Sequence, residues 1–144
     1  MSNLDIQPFQ QPQLKQVIEL WRRCELIMPW NDPVYDIQFS LSSTDSELLV
    51  LTREEKVIGT VMVGHDGHRG WIYYLAVSPV FQRSGYGRFL MVTAENWLKD
   101  RDVPKLNLMI RGGNKKALSF YKRLGFEDDN VVVMGKRYFD PRVL

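Results

Sequence analysis

The chain has 144 residues, of which 44% are hydrophobic and 25% charged, and its formal net charge is only +2. This length is typical of one domain, and no apolar run approaches the ~18 residues that a membrane span needs, so we expect a single domain over residues 1–144 without a membrane role. The small net charge argues against a nucleic-acid partner. An N-terminus without a secretory pattern and a single cysteine, Cys24, predict a cytoplasmic protein.

The first half of the chain predicts strands and two helices. A short edge strand near Ile6 precedes an amphipathic helix from Gln13 to Leu26, in which Cys24 lies on the apolar side and is expected to pack rather than react. A proline-bounded break follows, and Asp32-Pro33 predicts a second, short helix toward Leu41. The β-rich runs 47–52 and 57–63 predict an antiparallel pair, and a tight connection over 64–70 leads to a strand over 71–77.

The second half alternates helix and strand. Apolar residues keep helical spacing from Phe89 to about Asp100, and residues 105–110 predict a strand after Pro104. Strand, helix and strand in this order imply a parallel crossover. Asn114 is placed to cap a helix that Gly125 ends, and residues 131–139 predict a final strand. The whole predicts an α/β unit with a mixed sheet.

A glycine-containing loop, Gln82-Arg-Ser-Gly-Tyr-Gly87, lies between the predicted strand and helix. Glycines at the start of a helix let backbone N–H groups approach an anion that the helix dipole also favours. Arg88 and Leu90 stand where a P-loop and a dinucleotide-binding motif would need Lys and Gly, so both of those motifs are excluded. The loop predicts a phosphorylated cofactor bound in another way.

This loop resembles the Q/R-x-x-G-x-G/A signature of the GNAT superfamily of acyl-CoA-dependent N-acetyltransferases. Residues 114–126 resemble the family's second landmark, N-x-x-A-x-x-x-Y-x-x-x-G-F, at the usual distance downstream. W-N-D-P at 30–33, G-H-D-G-H-R-G at 64–70 and the Tyr73-Tyr74 pair are similar to the small bacterial YpeA-like acetyltransferases. The resemblance implies the GNAT acyl-CoA N-acyltransferase fold, a mixed, mostly antiparallel sheet with central splayed parallel strands flanked by helices.

The same resemblance implies acetyl-CoA as cosubstrate and makes a homodimer reasonable. It assigns the Leu75 amide to the thioester carbonyl, where a preorganised donor would stabilise developing charge, and the Val77 backbone to pantetheine. It assigns Tyr121 to protonating the departing thiolate, although a position in the aromatic core would also explain this side chain. It assigns Asn114 to a hydrogen bond with the CoA chain, although a helix cap would also explain that residue. The implied cofactor-binding set is Leu75, Ala76, Val77, Gln82, Arg83, Ser84, Gly85, Tyr86, Gly87, Arg88, Asn114, Ala117 and Tyr121.

The general base stays open, because Trp71 stands where many GNAT enzymes carry a Glu. Substitutes acting through water are Asp66, His68, Asp32, Glu25 and Tyr73. The acceptor-binding wall implied by the family draws on Trp30, Asn31, Asp32 and Tyr35, joined by Asp66, His68 and Tyr73. The carboxylates of Asp32 and Asp66 would suit a cationic amine. Two histidines are too few for a closed zinc site, so we expect no metal.

We therefore expect an N-acetyltransferase that passes the acetyl group directly from acetyl-CoA to a primary amine of a small molecule, peptide or protein. A ternary complex is favoured because neither Cys24 nor any Ser has a convincing activating partner in the sequence. The alternative is a CoA-binding regulatory or interaction module without turnover, suggested by Trp71 at the base position. A third interpretation keeps the catalysis and changes the acyl group to propionyl or succinyl.

Overall fold

A computed structural model describes residues 3–143, and within them five strands form one sheet in the order β1-β2-β3-β4-β5. The strands are β1 (Leu4–Pro8), β2 (Ser46–Arg53), β3 (Lys56–His65), β4 (Gly70–Val77) and β5 (Leu106–Asn107). The first four strands pair antiparallel, whereas β4 and β5 are parallel. The predicted mixed, mostly antiparallel sheet is confirmed.

Four helices flank the sheet in the described part of the chain: α1 (Leu14–Arg23), α2 (Pro33–Leu41), α3 (Tyr86–Lys99) and α4 (Lys115–Arg123). Helix α1 ends earlier than predicted because Glu25 adopts a left-handed φ of 59°. The Leu26 N–H then reaches back to the Trp21 carbonyl at 2.9 Å and closes the last turn. Among residues 3–143, none of the helices has the length and apolarity that crossing a bilayer requires.

The sheet separates two apolar cores because its central strands are buried on both faces. Along β2, Leu49 and Leu51 pack toward α3, whereas Leu48 and Val50 pack toward α1 and α2. The α3-side core also contains Val61, Val63, Ile72, Leu90, Met91, Ala94 and Leu98; the α1-side core contains Phe9, Val17, Leu20, Trp21, Ile37 and Ala76. Cys24 packs at the edge of the α1-side core, as its position in the sequence predicts.

Strand β4 contains a bulge. Its partners on β3 run Thr60↔Ala76 and Met62↔Tyr73, so Tyr74 and Leu75 together oppose one residue. Tyr74 has φ 52°, which costs a side-chain-bearing residue about 1–2 kcal/mol. The bulge reverses the alternation of the strand, and the Tyr74 ring consequently packs on the α1-side core although Ile72 lies in the other one.

A chain of buried polar contacts holds this bulge. The Trp21 Nε1–H donates to Thr60 Oγ1 at 2.9 Å, and the Thr60 hydroxyl donates to the Tyr74 carbonyl at 2.8 Å. The Trp21 and Tyr74 rings stack with centroids 3.7 Å apart and planes only 9° from parallel. Trp21 and Thr60 are both fully buried, so each donor and acceptor needs its partner. The Thr60 hydroxyl therefore joins α1, β3 and the bulged strand β4.

Two predicted strands are wrong in part or entirely. The strand over 105–110 is reduced to β5, because β5 pairs with β4 only at Gly70↔Leu106 and Trp71↔Asn107. Residues 131–139 form no strand: Val131, Val132 and Val133 are exposed, and no neighbouring backbone pairs with them. β-branched residues favour strands through cross-strand packing, which this segment lacks.

We predict that Thr60→Val destabilises the fold by about 2–3 kcal/mol, because the isosteric change leaves the Trp21 N–H and the Tyr74 carbonyl buried without a partner. Urea denaturation of both proteins measures the difference. Thr52→Val is the matched control, since Thr52 lies half-buried on β2 outside this contact chain. Equal free energies of unfolding for the two variants would show that the hydroxyl does not hold the bulge.

Candidate active site

The N-terminus of α3 is an open anion-binding position. Gly85 is its N-cap with φ 84°, no side chain caps it within the described residues, and its first turn contains no acidic residue. The first N–H groups of a helix have no internal acceptor and carry the positive end of the helix dipole. Gln82, Arg83 and Ser84 are exposed beside it, and Arg88 follows on the first turn. The loop therefore has the geometry that a phosphate group requires.

The two glycines of this loop serve different purposes. A Cβ added to Gly85 would meet open space, so its left-handed backbone is what requires glycine. A Cβ on Gly87 would lie 3.2 Å from Cζ of Phe120, so Gly87 allows α4 to approach α3 closely. Gly85 therefore shapes the turn and Gly87 lets the helices pack, two reasons for glycine beyond the predicted clearance for a cofactor. Tyr86, between them, stands at the start of α3.

Strands β4 and β5 separate immediately after they meet. Their parallel pairing includes only Gly70 and Trp71 of β4, so the predicted splay is confirmed. Beyond it, the edge of β4 that faces β5 has no partner strand within residues 3–143. The bulge lies on this open stretch, where Leu75 is half-buried. A bulge leaves one ladder position unmatched, which suits the Leu75 amide to an external acceptor.

The two residues after Leu75 on β4 offer a ligand little beyond their backbone. The Ala76 side chain is buried in the α1-side core. The Val77 carbonyl already accepts the Gln82 Nε2–H at 3.1 Å and the Cys24 thiol at 3.3 Å, which fills both lone pairs. A cofactor that used this carbonyl would have to displace one of them. Burial raises the pKa of the Cys24 thiol, which makes it a poor nucleophile.

Helix α4 places the second motif beside the opening. The Asn114 Oδ1 accepts the Ala117 N–H at 3.1 Å, which confirms the cap, and leaves its side-chain amide hydrogens for another partner. Tyr121 packs edge-on against Phe120 and Phe126, at 5.0 and 5.7 Å between ring centroids. Burial raises the pKa of Tyr121 to about 12, so its phenol keeps its proton at neutral pH. Tyr121 lines a cleft of about 950 Å³ between α3, β5 and α4.

The acceptor candidates fall into two groups, and the first lies on the β3–β4 hairpin. Asp66 Oδ1 accepts the backbone N–H groups of His68 and Arg69, and Oδ2 accepts the Trp71 Nε1–H at 3.1 Å. These bonds, that from Arg69 foremost, lower the pKa of Asp66 to about 2, which makes it a weak base. His68 is exposed. Burial, and then the charge of Asp66, raise the pKa of Tyr73 on the adjoining strand.

The second group surrounds the start of α2. Asp32 caps the helix by accepting from the Val34 and Tyr35 N–H groups at 3.0 and 3.3 Å. The Tyr35 ring contacts Phe139, with 6.4 Å between centroids, and the guanidinium of Arg111 lies 5.1 Å from the centroid of Trp30. These contacts, with half-buried Asn31, make an aromatic and acidic wall. Glu25, the remaining base candidate, is exposed after α1.

The structure also reveals a pair that the sequence analysis missed, Asp36 and Tyr74. The Tyr74 hydroxyl donates to Asp36 Oδ2 at 2.6 Å, joining β4 to α2. Burial raises the pKa of the half-buried Asp36 carboxyl, while the bond from Tyr74 opposes that shift. Regular alternation would have placed Tyr74 on the face of Ile72, so the pairing depends on the bulge. The sequence drew attention to Tyr74 only through the Tyr73-Tyr74 pair, which does not indicate Asp36 as its partner.

The described residues hold no cluster of three or more His, Cys, Asp or Glu side chains that could bind a metal ion. The geometry shows instead an uncapped helix N-terminus, a splayed pair of parallel strands and a half-buried phenol on α4. The open helix N-terminus suits a phosphorylated ligand, and the unpaired edge of β4 offers its backbone to one.

Comparison with known proteins agrees with this geometry. The profile of the acetyltransferase (GNAT) family matches residues 14–126. An acetyltransferase of Sodalis glossinidius is 40% identical over 138 residues, which cover 95% of this chain and 97% of the relative. An acetyltransferase of Yersinia enterocolitica is 40% identical over 134 residues, covering 93% of this chain and 95% of that protein.

Solved structures share the fold at lower identity. Aminoglycoside N-acetyltransferase AAC(6')-Iy in complex with CoA has a TM-score of 0.81 at 16% identity, over 95% of this chain and 96% of that one. The ribosomal-protein-S18-alanine N-acetyltransferase of Escherichia coli has a TM-score of 0.75 at 23% identity, over 89% and 80% of the two chains. The chain therefore belongs to the GNAT family and is an acetyl-CoA-dependent N-acetyltransferase.

Proposed function

We propose that residues 1–144 act as a single domain that transfers the acetyl group of acetyl-CoA directly to a primary amine while both substrates are bound. The observation that carries this proposal is the bulge at Tyr74 and Leu75 on the open edge of β4. It supplies an unmatched backbone position where negative charge develops on the thioester oxygen, and preorganised donors there are effective in catalysis. The raised pKa of Cys24 supports transfer without a covalent enzyme intermediate.

The proposed cosubstrate site joins the two motifs across the opening between β4 and β5. The N–H groups from Arg83 to Arg88 take the pyrophosphate at the start of α3. The pantetheine arm lies along the backbone of Leu75, Ala76 and Val77. Asn114 and Ala117 of α4 lie on its other side. The support is the uncapped helix N-terminus and the early separation of β4 from β5.

The proposed role of Tyr121 is to protonate the leaving thiolate. Its phenol is half-buried among aromatic side chains and has a raised pKa, so it stays protonated until the sulfur departs. A thiolate whose conjugate acid has a pKa of ~8.5 needs only modest help, and a neutral phenol provides it. The raised pKa keeps the proton on the phenol across the neutral range, so the donor is present whenever the sulfur departs.

The proposed acceptor is a cationic primary amine that approaches from α2 and the hairpin. Trp30, Asn31, Asp32 and Tyr35 form one wall, and Asp66, His68 and Tyr73 form the other. The relatives in fold are named for two kinds of acceptor, aminoglycosides and the alanine of ribosomal protein S18. Small molecules and peptide N-termini are therefore the first classes to test. The YpeA-like subgroup, a homodimer, a cytoplasmic location and the lack of a nucleic-acid partner remain predictions.

We predict that the protein releases free thiol from acetyl-CoA in the presence of an amine, and that Tyr121→Phe lowers this rate by about 100-fold. The loss should stay constant between pH 6 and 10, because the pKa of Tyr121 is about 12 and the phenol is protonated throughout. A colorimetric thiol assay measures the rate with aminoglycosides, polyamines, amino acids and N-terminal peptides as acceptors.

Tyr138→Phe is the matched control, since Tyr138 is 85% exposed and should retain the wild-type rate. Calorimetry with CoA should give equal affinity for all three proteins. Thiol release at the wild-type rate in Tyr121→Phe would remove its acid role. Tight CoA binding without thiol release across the whole panel would contradict the proposed function.

We predict that Gly85→Ala weakens CoA binding by about fivefold or more, because a left-handed alanine costs about 1 kcal/mol or moves the N–H groups of the loop. Gly67→Ala is the control: Gly67 has φ 85° and equally open space, but lies on the β3–β4 hairpin. Calorimetric titration should show a loss of CoA affinity only for Gly85→Ala. The melting temperatures of the two variants should fall by similar amounts. Equal CoA affinity in the two variants would place the phosphates elsewhere.

A further inference from the structure

We propose that Asp36, oriented by Tyr74, receives the ammonium group of the acceptor and takes its proton, which makes Asp36 the base that Trp71 cannot be. The proposal rests on the proposed function and names the proton acceptor of that reaction. It follows from one juxtaposition: the Tyr74 hydroxyl donates to Asp36 Oδ2 at 2.6 Å, and the next residue on β4 is Leu75. The carboxylate and the proposed oxyanion donor are thus fixed to the same bulge.

The bulge determines the side from which the amine must come. Helix α3 packs against Ile72 on one face of β4, and Leu75 also packs against that core. Tyr74 points to the opposite face, toward α1 and α2, with its ring on Trp21. An amine that reaches the open edge of β4 from the α2 side therefore passes the end of the Tyr74 ring, where Asp36 lies.

The free oxygen of Asp36 is available for a ligand. Oδ2 accepts the Tyr74 hydroxyl, whereas Oδ1 accepts no hydrogen bond from residues 3–143. Asp36 is half-buried, so this oxygen is partly desolvated yet not sealed in the core. A partly desolvated carboxylate with an open oxygen attracts a cation more strongly than a solvated one. Oδ1 is thus the proposed contact for the acceptor nitrogen.

The other carboxylates proposed for this site are hydrogen-bonded within their own segment or exposed. Asp66 uses both oxygens for hydrogen bonds and has a pKa near 2, so it would hold a proton poorly. Asp32 caps α2 through Oδ1. Glu25 is exposed beyond the end of α1. Of these carboxylates, only Asp36 is half-buried and held by a side chain of β4.

Three groups surround Asp36 and determine its basicity. Desolvation and the neighbouring charge of Asp32 raise its pKa, whereas the hydrogen bond from Tyr74 on β4 and the charge of Arg137 from the C-terminal segment lower it. Tyr74 has its own pKa raised far above the physiological range by burial and by Asp36, so it remains a hydrogen-bond donor. Tyr74 is accordingly a positioning residue, and Asp36 carries the proton.

The protons of the overall reaction balance. One proton passes from the ammonium nitrogen to Asp36 Oδ1, and the freed lone pair forms the N–C bond at the acetyl carbonyl. The C–S bond then breaks, and the departing sulfur takes a proton from the Tyr121 hydroxyl. The nitrogen loses a second proton as the amide forms, which restores the Tyr121 proton by way of solvent. Asp36 releases the first proton to solvent, so the net products are amide, thiol and one proton.

The experiment measures kcat/KM for thiol release between pH 5 and 9 with the best amine of the panel, in wild type, Asp36→Asn, Tyr74→Phe and Asp100→Asn. Asp36→Asn should lower kcat/KM by about 100-fold or more and lose the acidic limb that Asp36 causes. Tyr74→Phe should keep most activity but move the acidic limb to higher pH, because the bond that lowers the pKa of Asp36 is gone. Asp100→Asn, an exposed change at the end of α3, should match wild type.

The outcomes separate this inference from the proposed function. Wild-type turnover with an unchanged profile in Asp36→Asn overturns Asp36 alone and leaves the acetyl transfer standing. No turnover by wild type with any amine overturns both. CoA affinity and melting temperature are measured for each variant, and if Asp36→Asn does not fold, the profile of Tyr74→Phe decides. An acidic limb that stays in place in Tyr74→Phe then contradicts the proposal.

Discussion

The register shift on β4 is the constraint on which the site depends. Two residues, Tyr74 and Leu75, stand against one on β3, and the strand leaves β5 shortly before this point. That arrangement opens the strand edge, frees a backbone position and turns the Tyr74 ring toward α1 and α2. A regular strand would pair this backbone position with β3 and keep the Tyr74 ring on the face of Ile72, because its side chains would alternate. The contact from Thr60 to the Tyr74 carbonyl maintains the irregularity.

Local sequence rules predicted the parts that local chemistry controls. Asp32 and Asn114 cap the helices that their sequences indicate. The antiparallel pair β2–β3 and the parallel crossover also follow from hydrophobic patterns and element order. These features depend on a few consecutive residues, so the order of residues along the chain is sufficient to find them.

The sequence could not reveal features that depend on contacts between distant segments. Nothing in the strand over 71–77 indicates a bulge, since its cause lies in Trp21 and Thr60. The partnership of Asp36 with Tyr74 therefore stayed hidden, as did the role of Gly87 against Phe120. The segment 131–139 shows the opposite error: its composition favours a strand, yet it meets no partner.

The left-handed backbone of Tyr74 determines how this strand would respond to a deletion. A chain shortened by one residue at the bulge would relieve about 1–2 kcal/mol of backbone strain and pair β3 with β4 without interruption. The same deletion would turn the Tyr74 ring away from Trp21 and break the bond from the Thr60 hydroxyl, and losing these contacts costs more than the strain. The strained residue is thus kept in place by the core of the fold, so that shortening this strand would lose stability and site geometry together.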